Sequence, residues 1–462
     1  MTTIFGVLLT VGGIAVTLWL VRIRRTVAAA FGDPASAVAL VGFAVLTNAA
    51  PALAGDRSSV LVGVLVVGLL AWLVLSGRGV LRGPSDVWLR ISLAMAGGLL
   101  AWCASIDVVT GAGIYGSRLP AYGAAGLLLL AVWLMAARTA VSVRAMAYTG
   151  LAVLALLTIP TAVYGQSWRA CTGGNLEKCS VAGALFKSFY NSENYAAMLA
   201  SFTLVAAFCA MRRAELVATA SFCLLVIVAT GSRTSYLAIG AVGVWMLGAL
   251  LVQRLRPHPR IPFALCVALV VGALTAVTYL MWSASKTTLS NRGNIWIAAR
   301  EYISGREAVG VGVSKWYYLQ DIGVAPTHFF HSGYVLVIFS GGLVALTLFG
   351  LWMATLLHRS VEDGQAFTAK APVVLLIVYS FTEVVWNPLS VDGLTWIVLL
   401  LALTASVSAS PTRAPAPGPV DLVDRPGPFA SLRWLKGRHD AAAAPSASGG
   451  PRRGHAGLSA AS

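Results

Sequence analysis

Apolar runs long enough to cross a bilayer recur from the start of this chain to residue 407, and no other feature narrows the fold as much. A spanning helix needs about 20 predominantly apolar residues. Lipid offers the backbone no hydrogen-bond partners, so each run must close its own bonds as a helix. Strand alternation of the barrel kind is absent. Of the 462 residues, 58% are hydrophobic and 11% charged, whereas soluble domains are nearer half apolar and a quarter charged. The expected fold is an all-α polytopic membrane protein.

Spans are expected at 3–21, 35–54, 59–75, 91–106, 120–137, 145–165, 193–210, 216–230, 234–252, 261–282, 334–357, 371–386 and 391–407. That is about 12 to 13 transmembrane helices, the lower number applying if the first run is re-entrant. The loops after the odd-numbered spans carry Arg22, Arg24 and Arg25, then Arg78, Arg82 and Arg90, then Arg138 and Arg144. The series continues with Arg212 and Arg213, then Arg254, Arg256 and Arg260, then Arg359 and Lys370. The positive-inside rule makes these loops cytoplasmic, with the N-terminus outside. The charges of the first run follow it, so it is expected to be a span and not a secretory signal.

These flanks and the tail account for the net charge of +16. No basic stripe with interleaved aromatics points to nucleic acid. The resulting organisation is N-terminal transmembrane helices over 1–165, an outer loop at 166–192, helices over 193–282, a long extracytoplasmic loop at 283–333, and C-terminal helices over 334–407. Residues 408–462, rich in Ala, Pro, Gly and Ser, are expected to be a disordered cytoplasmic tail.

Cys103, Cys209, Cys223 and Cys266 fall within spans and are expected to pack there. Cys171 and Cys179 fall in the outer loop QSWRACTGGNLEKCS. That compartment permits a disulfide, the alternative being two free thiols.

Several motifs are missing. There is no G-x-x-x-x-G-K-[ST] and no H-E-x-x-H, and no D-x-D; the adjacent pair Glu362 and Asp363 lies in a short cytoplasmic loop. Neither a metal nor another cofactor is expected. Span centres lack Asp, Glu, Lys and Arg, which ion-coupled transporters use as relays, and no inverted repeat is visible.

The polar residues that break the apolar pattern share the outer side. Arg233 stands in IVATGSRTSYLAIGAVG, in a turn of almost no length. Arg292 opens NRGNIWIAAREYISG, where Arg292, Trp296, Arg300 and Ile303 recur at helical spacing. Such a helix is expected to lie flat at the interface with Trp296 as its anchor. Gly310 and Gly312 in EAVGVGVSKW allow a tight backbone path. THFFHSGYV sets His328, His331 and Tyr334 at the mouth of the next span, Glu383 stands in YSFTEVVWNPL, and FYNSENYAAM holds Glu193 and Asn194. Singly, each has an ordinary reading as a snorkelling cation, a satisfied polar group or half of an ion pair. Together they suggest chemistry on an anionic lipid. Guanidinium forks grip a diphosphate and stabilise it as it leaves, and a histidine suits the base that deprotonates an acceptor hydroxyl.

TGSRTSYLA, NRGNIW, AVGVGVS and FFHSGYVLVIFSGGLVALTLFGL, in that order, resemble the signature region of the bacterial O-antigen ligase and polymerase family. FYNSENYAAM resembles the Asn-containing segment that precedes it there, so the likeness covers about residues 185–405. It implies a metal-independent glycosyltransferase of the GT-C kind in the cytoplasmic membrane. Such an enzyme works at the outer face, moves a glycan from undecaprenyl diphosphate to a glycan, lipid or protein acceptor, and builds surface polysaccharide. The resemblance puts Arg233 and Arg292 on the donor diphosphate and makes His331 catalytic. Ser332 follows it where Asn is common. By position, Asn194, Arg300, His328, Tyr334 and Glu383 are further substrate-binding candidates, and Glu193 is a weaker one. The alternatives are a repeat-unit polymerase of the same family, a lipid-linked-sugar transporter without chemistry, and a structural subunit of an export complex.

Overall fold

The computed structural model describes residues 1–76, 86–110, 119–136, 141–171, 178–190, 192–255, 261–326, 330–359, 368–387 and 390–404. His328, Arg78, Arg82, Arg138, Arg256, Arg260, Glu362, Asp363 and the tail 408–462 lie outside the described residues.

Among the described residues, seven helices precede the first outer loop: α1 (Thr2–Arg22), α2 (Arg24–Ala30), α3 (Pro34–Ala54), α4 (Ser58–Ser76), α5 (Val87–Thr110), α6 (Leu119–Ala136) and α7 (Val143–Thr161). Two short strands, β1 (Trp168–Arg169) and β2 (Leu185–Phe186), pair antiparallel and close that loop. Then come α8 (Glu193–Ala210), α9 (Arg213–Thr230), α10 (Arg233–Leu255) and α11 (Phe263–Trp282). The long loop carries α12 (Thr288–Ile303) and α13 (Val313–Asp321), and α14 (Gly333–His358), α15 (Ala371–Thr382) and α16 (Thr395–Thr404) follow.

Among the described residues, 10 helical segments are long and apolar enough to cross a membrane. One of them, Pro34–Leu75, turns at Gly55–Arg57 into α3 and α4, which pack on each other. α3 starts where Asp33 accepts a bond from Ser36 N at 2.8 Å and Pro34 occupies the first turn, the sequence chemistry of a helix start. The runs 371–386 and 391–407 contain shorter helices than expected, of 12 and 10 residues. α15 stops at Thr382 because Glu383 adopts extended backbone, φ −142° and ψ 158°.

Burial sorts the helices. α7, α8 and α14 are enclosed on most of their surface, while α1, α10 and α11 leave most of theirs uncovered. The uncovered side chains are apolar, as with Leu237, Val244 and Leu247 on α10. A helix apolar all round with an open face suits lipid and not water.

Two breaks in regular structure position the polar end of the bundle. α9 ends on Gly231 in the left-handed region, φ 60° and ψ 25°, and α10 begins two residues later. A Cβ on Gly231 would meet Leu185 Cδ2 at 2.9 Å and the Cys179 carbonyl at 3.2 Å, so glycine lets this turn press against the first outer loop.

The second break lies inside α14. Gly341 and Gly342, small residues of the kind that usually serve close helix packing, leave the helical region instead (φ −142°, ψ 16° and φ 64°, ψ −157°). The groups freed at the break are met by the long loop. Val311 N donates to Phe339 O at 2.9 Å, Gly312 N to Ser340 O at 3.1 Å, and Leu343 N to Glu307 O at 2.9 Å. Trp102 Nε1 donates to Gly341 O at 2.7 Å. Non-helical backbone at membrane depth is tolerated when protein satisfies it in this way. Gly310, at φ 75°, makes the approach possible. Trp296 also departs from expectation: it is fully buried and donates to Phe330 O at 3.0 Å, so it faces the protein and not the lipid interface.

Candidate active site where three helices begin

α8, α10 and α14 begin, and α15 ends, around one buried carboxylate. Glu383 Oε1 accepts from Asn194 Nδ2 at 2.7 Å and from an Arg292 guanidinium nitrogen at 2.6 Å. The other terminal nitrogen of Arg292 donates to the Thr382 carbonyl. Glu383 Oε2 lies 3.6 Å from His331 Nδ1. Asn194 is on the first turn of α8, Ser232 directly precedes α10, and Ser332 caps α14. Helix N-termini carry partial positive charge, so this convergence favours an anion at its centre.

His331 is held in an uncommon conformation. Its φ of 48° lies in the left-handed region, which side-chain-bearing residues seldom occupy. Such geometry persists only where neighbours over-determine it. Here Ser332 Oγ donates to Ser380 O at 3.0 Å, and Gly333 N donates to Glu383 O at 3.1 Å. Ser332 Oγ also accepts from Val335 N at 3.3 Å as the cap of α14. The ring is a third exposed, at 33%, with its Nδ1 edge toward Glu383.

A second layer of bonds lies behind Asn194. Its Oδ1 accepts from Ser232 Oγ at 3.0 Å and from Lys178 Nζ at 3.2 Å. Lys178 also sits 2.5 Å from Glu193 Oε1, and Arg169 lies 3.6 Å from Glu193 Oε2. Ser235 donates to Ser232, and Tyr379 OH is 2.8 Å from both Ser235 and Ser201. The chain of contacts thus runs from the first outer loop through α8 and α10 to α15. Cys171 and Cys179 are joined by a disulfide beside Lys178, with Cα atoms 4.7 Å apart.

The candidates from sequence are placed differently from one another. Arg292, His331, Asn194 and Glu383 meet directly. Arg233 is exposed and follows Ser232 immediately, at the rim of the cluster. Glu193 is buried one layer back. Arg300 donates to the Trp282 carbonyl at the end of α11, away from Glu383. Tyr334 is buried, its hydroxyl on Ile377 O at 3.0 Å and its ring between Phe349 and Phe381.

Sequence reading missed Lys178, Ser235, Tyr379 and Asp107. Ser235 stood in plain view inside TGSRTSYLA, and Lys178 next to Cys179. Asp107 had no signal. It is buried near the end of α5 and accepts from Ser314 N at 2.9 Å and Tyr122 OH at 2.9 Å, fixing the start of α13. Among the described residues, no three His, Cys, Asp or Glu side chains group as metal ligands would.

Residues 218–350 match the family model described as O-antigen ligase. Within that segment the chain resembles the O-antigen ligase family. The match runs from within α9 into α14 and takes in Arg233, Arg292 and His331, while Lys178, Asn194 and Glu383 lie outside it. No curated protein and no solved structure matches the chain. The match supports a ligase- or polymerase-type function in polysaccharide biosynthesis, and the 10 apolar helical segments among the described residues support a multi-pass membrane protein.

Proposed function

We propose that this protein is a metal-independent glycosyltransferase of the cytoplasmic membrane. It transfers a glycan from a polyprenyl diphosphate carrier, undecaprenyl diphosphate in the family's pattern, to an acceptor hydroxyl at the outer face. The observation that carries the reading is the cluster of Arg292, Glu383 and His331 at the start of α14, with Arg233 at its rim. Its opposite end supports the orientation. Arg359, at the other end of α14, and Lys370, at the other end of α15, sit where the positive-inside rule puts cytoplasmic cations.

In this reading the acceptor oxygen attacks the anomeric carbon as its proton passes to His331 Nε2. The bond from that carbon to the diphosphate breaks, and the electron pair leaves with the polyprenyl diphosphate. Glu383, on the Nδ1 side, stabilises the imidazolium that forms. Arg233 and Arg292 take the charge growing on the leaving oxygens, a task suited to a planar fork that stays protonated. A repeat-unit polymerase would use the same steps with a growing glycan as acceptor. A GT-C-type architecture is part of the same proposal.

The test is release of polyprenyl diphosphate from a lipid-linked glycan by purified protein in EDTA, with wild type and His331→Ala side by side. Release by wild type alone is expected. No release from wild type with matched donor and acceptor would move the function to a transporter or an export scaffold.

A further inference from the structure

Lys178 belongs to no family-matched segment, yet its contacts reach the centre of the site. It is carried on a loop closed twice, by the pairing of Trp168 with Phe186 and Arg169 with Leu185, and by the bond between Cys171 and its neighbour Cys179. Its ammonium touches the first two residues of α8. One contact is to Glu193 Oε1 at 2.5 Å and the other to Asn194 Oδ1 at 3.2 Å. Glu193 is buried, and among the described residues its Oε2 has no hydrogen-bond partner, Arg169 lying 3.6 Å away.

The second contact decides the orientation of an amide. An Asn side chain has one accepting and one donating end. Lys178 and Ser232 both donate to Oδ1, which turns Nδ2 toward Glu383 Oε1 at 2.7 Å. The flipped amide would set oxygen against carboxylate. With Oε1 held by Asn194 and Arg292, Oε2 is left facing His331.

We propose that Lys178 is a positioning residue that acts through Asn194 and Glu383 to hold His331 for catalysis. This rests on the reading of His331 as the base. A purely structural role, in which Lys178 only neutralises buried Glu193, makes a different prediction, and the double variant with Glu193→Gln separates the two.

Wild type, Lys178→Met, Lys178→Arg and Lys178→Met/Glu193→Gln would be compared in nanodiscs by two readouts. The first is steady-state transfer from a labelled polyprenyl-diphosphate-linked glycan. Lys178→Met is expected to lower kcat by on the order of tenfold or more, because a small misplacement of a catalytic group is costly. Its KM for the donor should stay near wild type, Lys178→Arg should regain most of the rate, and Glu193→Gln should not rescue it. The second readout is the rate of His331 modification by diethyl pyrocarbonate, read by peptide mass mapping. It needs no turnover. It should differ from wild type by about threefold or more in Lys178→Met and in the double variant, and not in Lys178→Arg, if the ring has lost its fixed partner. A wild-type modification rate in Lys178→Met, or its restoration by Glu193→Gln, would overturn the proposal. Absence of transfer by wild type would sink the glycosyltransferase reading alone, with the modification rates still deciding the role of Lys178.

Discussion

His331 carries the two nitrogens on which the proposed reaction turns, with Nδ1 toward Glu383 and Nε2 assigned by the proposal to the acceptor proton. His331→Ala should abolish transfer while leaving the melting temperature within a few degrees of wild type, since the ring is partly exposed. Glu383→Gln keeps the shape but leaves the imidazolium unsupported, and should lower kcat by about a hundredfold or more, the scale of lost general-base catalysis. Arg233→Lys should also fail in the transfer assay, because a point charge does not reproduce a bidentate fork. A fully active lysine variant would reduce Arg233 to a residue that snorkels at the membrane surface.

Single elements here work through their interruptions. α14 is two half-helices joined at Gly341 and Gly342, with the long loop bonded into the joint. Gly310→Ala would put a Cβ 2.6 Å from Gly342 N and 2.7 Å from Gly341 N. Both are backbone atoms that cannot rotate away. The positive φ alone should cost about 1–3 kcal/mol, so the unfolding midpoint in detergent should fall and the loop should become protease-sensitive. Ser332 illustrates the same scale. It caps the half-helix that follows His331 and ties it to α15, so a short hydroxyl serves as the clip at this position.

Across the whole molecule, the end opposite the site is held by buried cations. Arg359 pairs with Asp86 at 2.7 Å and donates to Ala402 O at 3.0 Å, and Lys370 donates to the carbonyls of Leu357 and Arg359. These bonds gather α14, α15, α16 and the start of α5. Asp86→Ala strands a buried guanidinium and should destabilise the protein by about 3–5 kcal/mol, measurable as a lower midpoint with transfer per folded molecule unchanged. Orientation can be read at the same scale. A cysteine at exposed Glu301 should react with an impermeant thiol reagent on intact cells, and one at exposed Arg254 should not; the reverse pattern would invert the topology.

What the sequence determined by itself was whatever depends on residues near one another in the chain. The transfer of a run into lipid is a local property, so the positions of the spans and of the polar stretches between them were legible from composition and charge. Arg292, His331, Asn194 and Glu383 could each be singled out because they interrupt apolar patterns. Their meeting could not be read off. Asn194 and Glu383 are 189 residues apart, and only the packing of α8, α10, α14 and α15 brings them into hydrogen-bond distance. The same limit explains the departures. Trp296 looked like an interface anchor because helical spacing shows which residues share a face but not what covers it. Arg300 sits one turn past Trp296, yet it serves the end of α11. The break at Gly341 and Gly342 could not be read from their own run, because the partner that fills it, Glu307 to Gly312, comes from another segment. Lys178 had no motif at all. Its place is set by a disulfide, a two-stranded closure and the amide it orients, and each of these depends on a distance through space.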